Sequence, residues 1–307
     1  MITKSILLNK VTDKGNKRIV FNVEAHAGFY SEFNNMLFCL VFCLEKNISF
    51  DIQSKGDINF YNAGWGDYFQ PFFKEIKLPF LNKYNSRPYL AYGIKFYMFK
   101  TILKTIYNID YFTQDLFDQA RADYKHGGTI NIPELNVNCS FLEFCSELIK
   151  IIYVFNASTR KEMNDLLKNL SLPEDYIAIH IRSGDKIQEV PLYSQDDYIK
   201  HAIGKTNNLY VYSDNYEIIE KIKIKYNDFN IYSLTEKNDT GYIHNDFVKL
   251  PPLERKKKMT KLFANIEIFC NANTFIGSID SNPGMFVWMS RAGKNCIDVN
   301  GREFMIY

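Results

Sequence analysis

At 307 residues the chain is long enough for two domains of ordinary size, and 46% hydrophobic with 16% aromatic residues make it a globular protein with a real core. A formal charge of +2 does not indicate a broad electrostatic grip on nucleic acid, so any anion site is expected to be local. The longest apolar run, 36–44, is nine residues, against the about 20 a bilayer crossing needs.

Around Lys4, Ile6-Leu7-Leu8 and Lys10 the chain shows neither the apolar core nor the small-residue cleavage site of a signal peptide. With no such signal, the expected location is cytoplasmic, in a bacterial or viral source. After Gly28, residues Phe33, Leu37, Leu40, Val41 and Leu44 fall at helical spacing and predict one buried stripe. Asn34 and Asn35 then sit at the helix start, where free backbone donors could face a ligand or simply cap the helix toward solvent. From 93 to 124 the pattern is aromatic and helical, which predicts a packing layer with Thr113 as an N-cap ahead of Leu116 and Phe117. The segment 169–175, interrupted by Pro173, is the expected boundary between a domain over 1–170 and one over 171–307, the last residues of the second packing back on the first. Beyond it, strands at 176–181, 209–212, 229–232, 274–277 and 296–299 alternate with helical stretches, as in a doubly wound parallel sheet. Met259, Leu262, Phe263 and Ile266 mark one of its helices, and Lys256, Lys257 and Lys258 read as its solvated face. Six cysteines without a Cys-x-x-Cys pair signal neither zinc nor thiol redox chemistry and are read as free buried thiols.

The most informative stretch is His180-Ile181-Arg182-Ser183-Gly184-Asp185-Lys186, because it puts charged groups where an unalternating apolar strand ends. Ligands of open α/β sheets bind beyond the carboxyl ends of such strands, and the rigid fork of Arg182 suits a phosphate or diphosphate. A surface turn whose charges merely pair with one another is the alternative. A second anion cradle is expected at 278–282, where Asp280, Ser281 and Asn282 lead into a helix opened by Pro283; a plain helix cap is equally compatible.

His-x-Arg-x-Gly-Asp-Lys resembles the phosphate-binding motif of the α1,6-fucosyltransferases and, more loosely, that of the α1,2- and protein O-fucosyltransferases. Other segments resemble the α1,6 family in the same order: Gly28-Phe29-Tyr30-Ser31-Glu32-Phe33-Asn34-Asn35, Gly64-Trp65-Gly66-Asp67-Tyr68-Phe69-Gln70-Pro71, Tyr212-Ser213-Asp214-Asn215 and Ile279-Asp280-Ser281-Asn282. The resemblance implies a GT-B-like α/β fold, two Rossmann-like domains facing a cleft, with the Gly28 turn on one wall and the Arg182 strand end on the other. It further implies an inverting glycosyltransferase that moves fucose from GDP-fucose to a glycan hydroxyl. Two alternatives stay open: a GT-B transferase using another nucleotide sugar, and a non-catalytic glycan- or nucleotide-binding protein.

The catalytic group expected on this basis is Arg182, Asp185, Lys186 and Glu189. Arg182 neutralises the leaving diphosphate, Lys186 holds a carboxylate or the phosphate, Asp185 orients Lys186, and Glu189 is the base, with Glu32 or Asp214 next in line. Substrate contacts fall on His180, Asp214, Asn215, Asp280, Ser281, Asn282, Gly28, Glu32 and Asn34. Asn265 and Asn215 stand where the family carries acidic residues, so base and sugar choice hang on them. No Asp-x-Asp triplet is present, so no metal or other cofactor is expected, and the partners are a nucleotide sugar and a glycan rather than nucleic acid.

Overall fold

A computed structural model describes residues 2–13, 17–23, 27–54, 59–81, 83–85, 93–183 and 193–306. Gly184, Asp185, Lys186 and Glu189 lie outside the described residues. The chain divides into two compact units, residues 1–156 with Ile306 and residues 157–305 with Tyr307.

The first unit opens with α1 (Lys4–Thr12), capped by the Thr3 hydroxyl and buried through Leu7 and Val11. β1 (Arg18–Asn22), α2 (Phe29–Glu45) and β2 (Ser49–Gln53) form a parallel β-α-β unit in which Arg18 lies opposite Ser49 and Asn22 opposite Gln53. α3 (Ile94–Ile106) leads to β3 (Tyr111–Phe112), which joins the other edge of β1. α4 (Thr113–Asp123), the antiparallel pair β4 (Thr129–Ile132) and β5 (Val137–Ser140), and α5 (Phe141–Ile152) complete the unit.

Three local expectations change. α2 is not striped: 15 of its 17 residues are buried, since β2, α4 and β4 all pack against it. The 93–124 segment is two helices, because Asn108 takes a left-handed conformation at φ 50° and Tyr111–Phe112 pairs with β1. Of these two, α3 buries no residue and turns Ile94, Met98, Ile102 and Ile106 outward along one i, i+4 row, so it is not a packing layer. Thr113 is not the cap of α4 either. Its hydroxyl accepts the Asn22 amide at 2.7 Å and donates to Asn85 at 2.9 Å, while Asp115 takes the Phe112 amide at 2.7 Å.

The Gly64-Trp65 segment is scaffold. Asp67 accepts the amides of Tyr61, Asn62 and Ala63 at 2.8, 2.7 and 2.9 Å. Trp65, 2% exposed, stacks among Phe33, Phe69 and Phe73, and its amide donates to Ser54 Oγ at 2.7 Å. Gly64 at φ 100° is what lets the chain enter this turn.

The second unit begins at α6 (Ala157–Lys168), whose Arg160 meets Glu267 at 2.5 Å. The 169–175 segment therefore lies within the second unit, joining α6 to the first strand. There follow β6 (Ile177–Ile181), α7 (Gln195–Ile199), β7 (Asn208–Ser213), α8 (Tyr216–Lys225) and β8 (Asn230–Tyr232). The chain then crosses through α9 (His244–Lys249) and α10 (Pro252–Asn271) to β9 (Thr274–Gly277), α11 (Asn282–Ser290) and β10 (Cys296–Asp298). The five strands are parallel in the order β10-β9-β6-β7-β8, so all five expected strands form and the sheet is doubly wound. Every residue of β6 is buried, as its lack of polar alternation requires. Lys257 and Lys258 are exposed, whereas Lys256 bonds Glu162 at 2.5 Å. All six cysteines are free; Cys39, Cys43 and Cys145 are buried, the other three partly so.

Gly64→Ala should cost about 1–3 kcal/mol, because the φ is unfavourable for any L side chain and the new methyl would meet Ser54 and Glu75. Gly28→Ala should be near neutral, since Gly28 has φ −65° and nothing among the described residues lies within 4 Å of an added Cβ. Urea unfolding followed by tryptophan emission separates the two.

Candidate functional site

Strand order reverses beside β6, with β7 and β8 added on one side and β9 and β10 on the other. The carboxyl ends of β6 and β9 flank this switch point, the place where an open α/β sheet leaves a crevice for a ligand.

His180, the penultimate residue of β6, is 4% exposed and packs against the rings of Tyr212 and Phe269, at centroid distances of 5.8 and 5.5 Å. Its buried Nδ1 has no hydrogen-bond partner among the described residues. Burial first and the nearby Arg182 charge second push its pKa down to about 3, so the imidazole is neutral in the physiological range. Arg182 leaves the strand with its guanidinium carbon 5.6 Å from the centre of the Tyr242 ring.

Asp214 ties these pieces together. One carboxylate oxygen accepts the Ser183 amide at 2.8 Å, the other accepts the Tyr242 amide at 3.0 Å, and its carbonyl accepts the Gly241 amide at 2.7 Å. Burial raises the Asp214 pKa, opposed by the Tyr242 amide, Arg182 and the Ser183 amide. Both oxygens thus hold backbone, which makes Asp214 a builder of the strand end. Asn215 is a helix cap, its side-chain oxygen accepting the Glu217 amide at 3.0 Å.

A cavity of about 370 Å³ opens beside Arg182, floored by Ile181 and Ile218 and lined by Ser183, Tyr193, Gln195 and Lys225. Lys225 is matched by Asp196 at 2.6 Å, and Asp196 also accepts the Tyr226 hydroxyl at 2.5 Å. The wall is about half apolar, and its guanidinium and hydroxyls are the groups in it that suit a phosphorylated ligand.

The 278–282 turn is built differently from the expected cradle of free amides. The Ile279 amide donates to Asp298 at 2.8 Å, the Asp280 amide to Ser278 Oγ at 3.3 Å and the Ser281 amide to the Ser278 carbonyl at 3.1 Å. Ser281 Oγ caps α11 by accepting the Gly284 amide at 3.0 Å, and Pro283 has no amide hydrogen. Asn282 is the first residue of the helix. Asp280 is engaged by Arg302 at 2.6 Å, and Arg302 also bonds Asp298 at 3.1 Å. Against the cost of burial, Arg302 and the Ile279 amide hold the Asp298 carboxyl below the usual carboxylate range. The cation of this turn is therefore Arg302, which the sequence did not single out; only its position just after a short strand and Gly301 could have drawn attention to it.

Asn265 cannot read a base: it is fully buried, accepts the Tyr210 hydroxyl at 2.6 Å and donates to the Lys261 carbonyl at 2.7 Å. In the first unit, the Gly28 carbonyl accepts the amides of Ser31 and Glu32 at 2.9 and 3.2 Å, which starts α2. Glu32 and Asn34 are 0% and 1% exposed within that helix, and Asn35 accepts a bond from Arg121 at 2.8 Å. Among the described residues, no group of three or more His, Cys, Asp or Glu side chains is placed to hold a metal ion.

No family model and no curated protein matches the chain. Solved structures do. POFUT1 in complex with GDP-fucose aligns at a TM-score of 0.53 and 12% identity, over 95% of this chain and 100% of that one. The fucosyltransferase NodZ from Bradyrhizobium aligns at 0.52 and 11% identity, over 95% and 98%. NodZ α-1,6-fucosyltransferase soaked with GDP-fucose aligns at 0.51 and 10% identity, over 89% and 92%. The chain shares the GT-B-type α/β fold of these fucosyltransferases, as the motif resemblance implied.

The His180 environment has a consequence for stability. The unfolded chain protonates this imidazole near its ordinary 6.5 and the folded chain only near 3. The group's contribution is therefore complete above about pH 6.5 and is lost as pH falls toward 3, with a slope of at most about 1.4 kcal/mol per pH unit. Between pH 7 and 5 the wild type should lose up to about 2 kcal/mol more unfolding free energy than His180→Gln, measured by urea titration at each pH. Equal losses would place His180 in contact with water.

Proposed function

We propose that the chain is an inverting, metal-independent glycosyltransferase that transfers fucose from GDP-fucose to a glycan hydroxyl. The observation that carries this reading is Arg182, set at the switch point of a doubly wound sheet and at the wall of a cavity of about 370 Å³. The likeness in fold to POFUT1 solved with GDP-fucose and to NodZ supports it.

In the proposed reaction the acceptor oxygen attacks the anomeric carbon from the face opposite the diphosphate. The glycosidic C–O bond breaks, its electron pair goes to the β-phosphate oxygen, and the acceptor proton goes to a base. A preoriented guanidinium meets the charge that develops on the leaving group, which is the term most often responsible for acceleration. Neutral His180, with one buried polar atom that has no partner among the described residues, is suited to a hydrogen bond with an uncharged part of the donor. Glu189 is the proposed base. Asp214 suits that task less, since both its oxygens accept backbone amides.

GDP and GDP-fucose should raise the melting temperature, and UDP sugars should not; at about 100 times the dissociation constant a ligand adds about 2.7 kcal/mol. Transfer should persist in excess EDTA. Stabilisation by UDP sugars alone would move the protein to another donor, and activity restored to chelated enzyme by manganese would end the metal-free reading.

Two substitutions separate anion stabilisation from base catalysis. Arg182→Lys keeps the charge but loses the fork, and turnover should fall 100- to 1000-fold, about 2.7 to 4 kcal/mol, with the melting temperature nearly unchanged. Glu189→Gln should keep GDP affinity and cut transfer by about 100-fold or more. Steady-state kinetics with parallel GDP titrations reads both.

A further inference from the structure

We infer that Tyr242 is a positioning residue for Arg182, an inference that rests on the proposed function. Arginine on a free strand end samples many rotamers, and a preorganised donor is worth more to a developing anion than a mobile one. Here the guanidinium carbon lies over the Tyr242 ring, 5.6 Å from its centre, within cation–π reach. The ring in turn is fixed from several sides. Its amide is held by Asp214 at 3.0 Å, its hydroxyl bonds His244 Nδ1 at 3.1 Å, and it packs on Phe247 at a centroid distance of 5.8 Å.

The loop that carries Tyr242 is braced further back. Asp239 is paired with Lys261 of α10 at 2.8 Å, the Tyr216 amide donates to the Asp239 carbonyl at 2.8 Å, and Gly241 supplies a φ of 114° that an L side chain rarely adopts. The same Asp214 carboxylate binds the Ser183 amide next to Arg182, so the ring and the arginine's backbone are referenced to one group. A loop bound only for stability would not need its aromatic face turned to the arginine at the site.

The test is a double-mutant cycle in kinetics with GDP-fucose, alongside calorimetric titration of GDP and of pyrophosphate. Tyr242→Leu should lower kcat about tenfold while the donor KM and GDP affinity change less than about threefold, because the charge remains but its aim is lost. Tyr242→Phe should restore kcat to within about twofold. In an Arg182→Lys background Tyr242→Leu should change kcat less than about twofold, since an ammonium has no plane to orient. If Tyr242→Leu does not fold, Tyr242→Met takes its place with the same expectations. Wild-type kcat in Tyr242→Leu, or an equal loss in both backgrounds, overturns the positioning role alone. A wild type that binds neither GDP nor pyrophosphate overturns the proposed function and this inference with it.

Discussion

The geometry of the strand end depends on one carboxylate kept from water. Removing Asp214 from solvent is costly, and the net effect raises its pKa despite two backbone amides and a nearby guanidinium. Those partners are what the cost secures: the chain leaving β6 and the loop before α9 are each pinned to a different oxygen of the same group. The imidazole next door belongs to the same electrostatic arrangement. Arg182 helps hold His180 neutral, so the site combines a permanent cation with an uncharged ring instead of two titrating charges.

The parallel sheet was legible because a strand covered on both faces has no alternation to hide, and β6, β7 and β9 are nearly unbroken apolar runs. What failed was the reading of polar residues. Asn, Asp, Ser and Thr satisfy backbone as readily as they meet a ligand, and the choice depends on partners far off in sequence. Thr113 binds the amide of Asn22, 91 positions away, and Asn265 binds Tyr210, 55 positions away. No local pattern contains either partner. The unbroken helical reading of 93–124 failed at Asn108, whose left-handed backbone is a property of the turn and not of apolar spacing.

Motifs that carry a family resemblance need not carry chemistry. Gly64 and Trp65 organise an aromatic cluster, and Asp67 gathers the amides of the turn before them. The 278–282 turn likewise uses its hydroxyl and carboxyl groups on its own amides and on Arg302, closing the end of β9 beside the crevice. Arginine appears at the carboxyl ends of two strands in this sheet, once turned to a tyrosine and a cavity and once locked between two aspartates.

The strand order also sets when the crevice can exist. β6 pairs with β7 about 30 residues later, but Ile177 meets Thr274 of β9 only after about 100 residues. Until β9 has been synthesised, β6 can pair only on its β7 side, and its other edge has no strand to meet. Contacts of that sequence separation close late, and an unpaired apolar edge is where nascent chains associate. The β6–β9 pairing is thus the one of longest sequence separation in the second unit's sheet, and an open apolar edge on β6 is the hazard for as long as it is unmade.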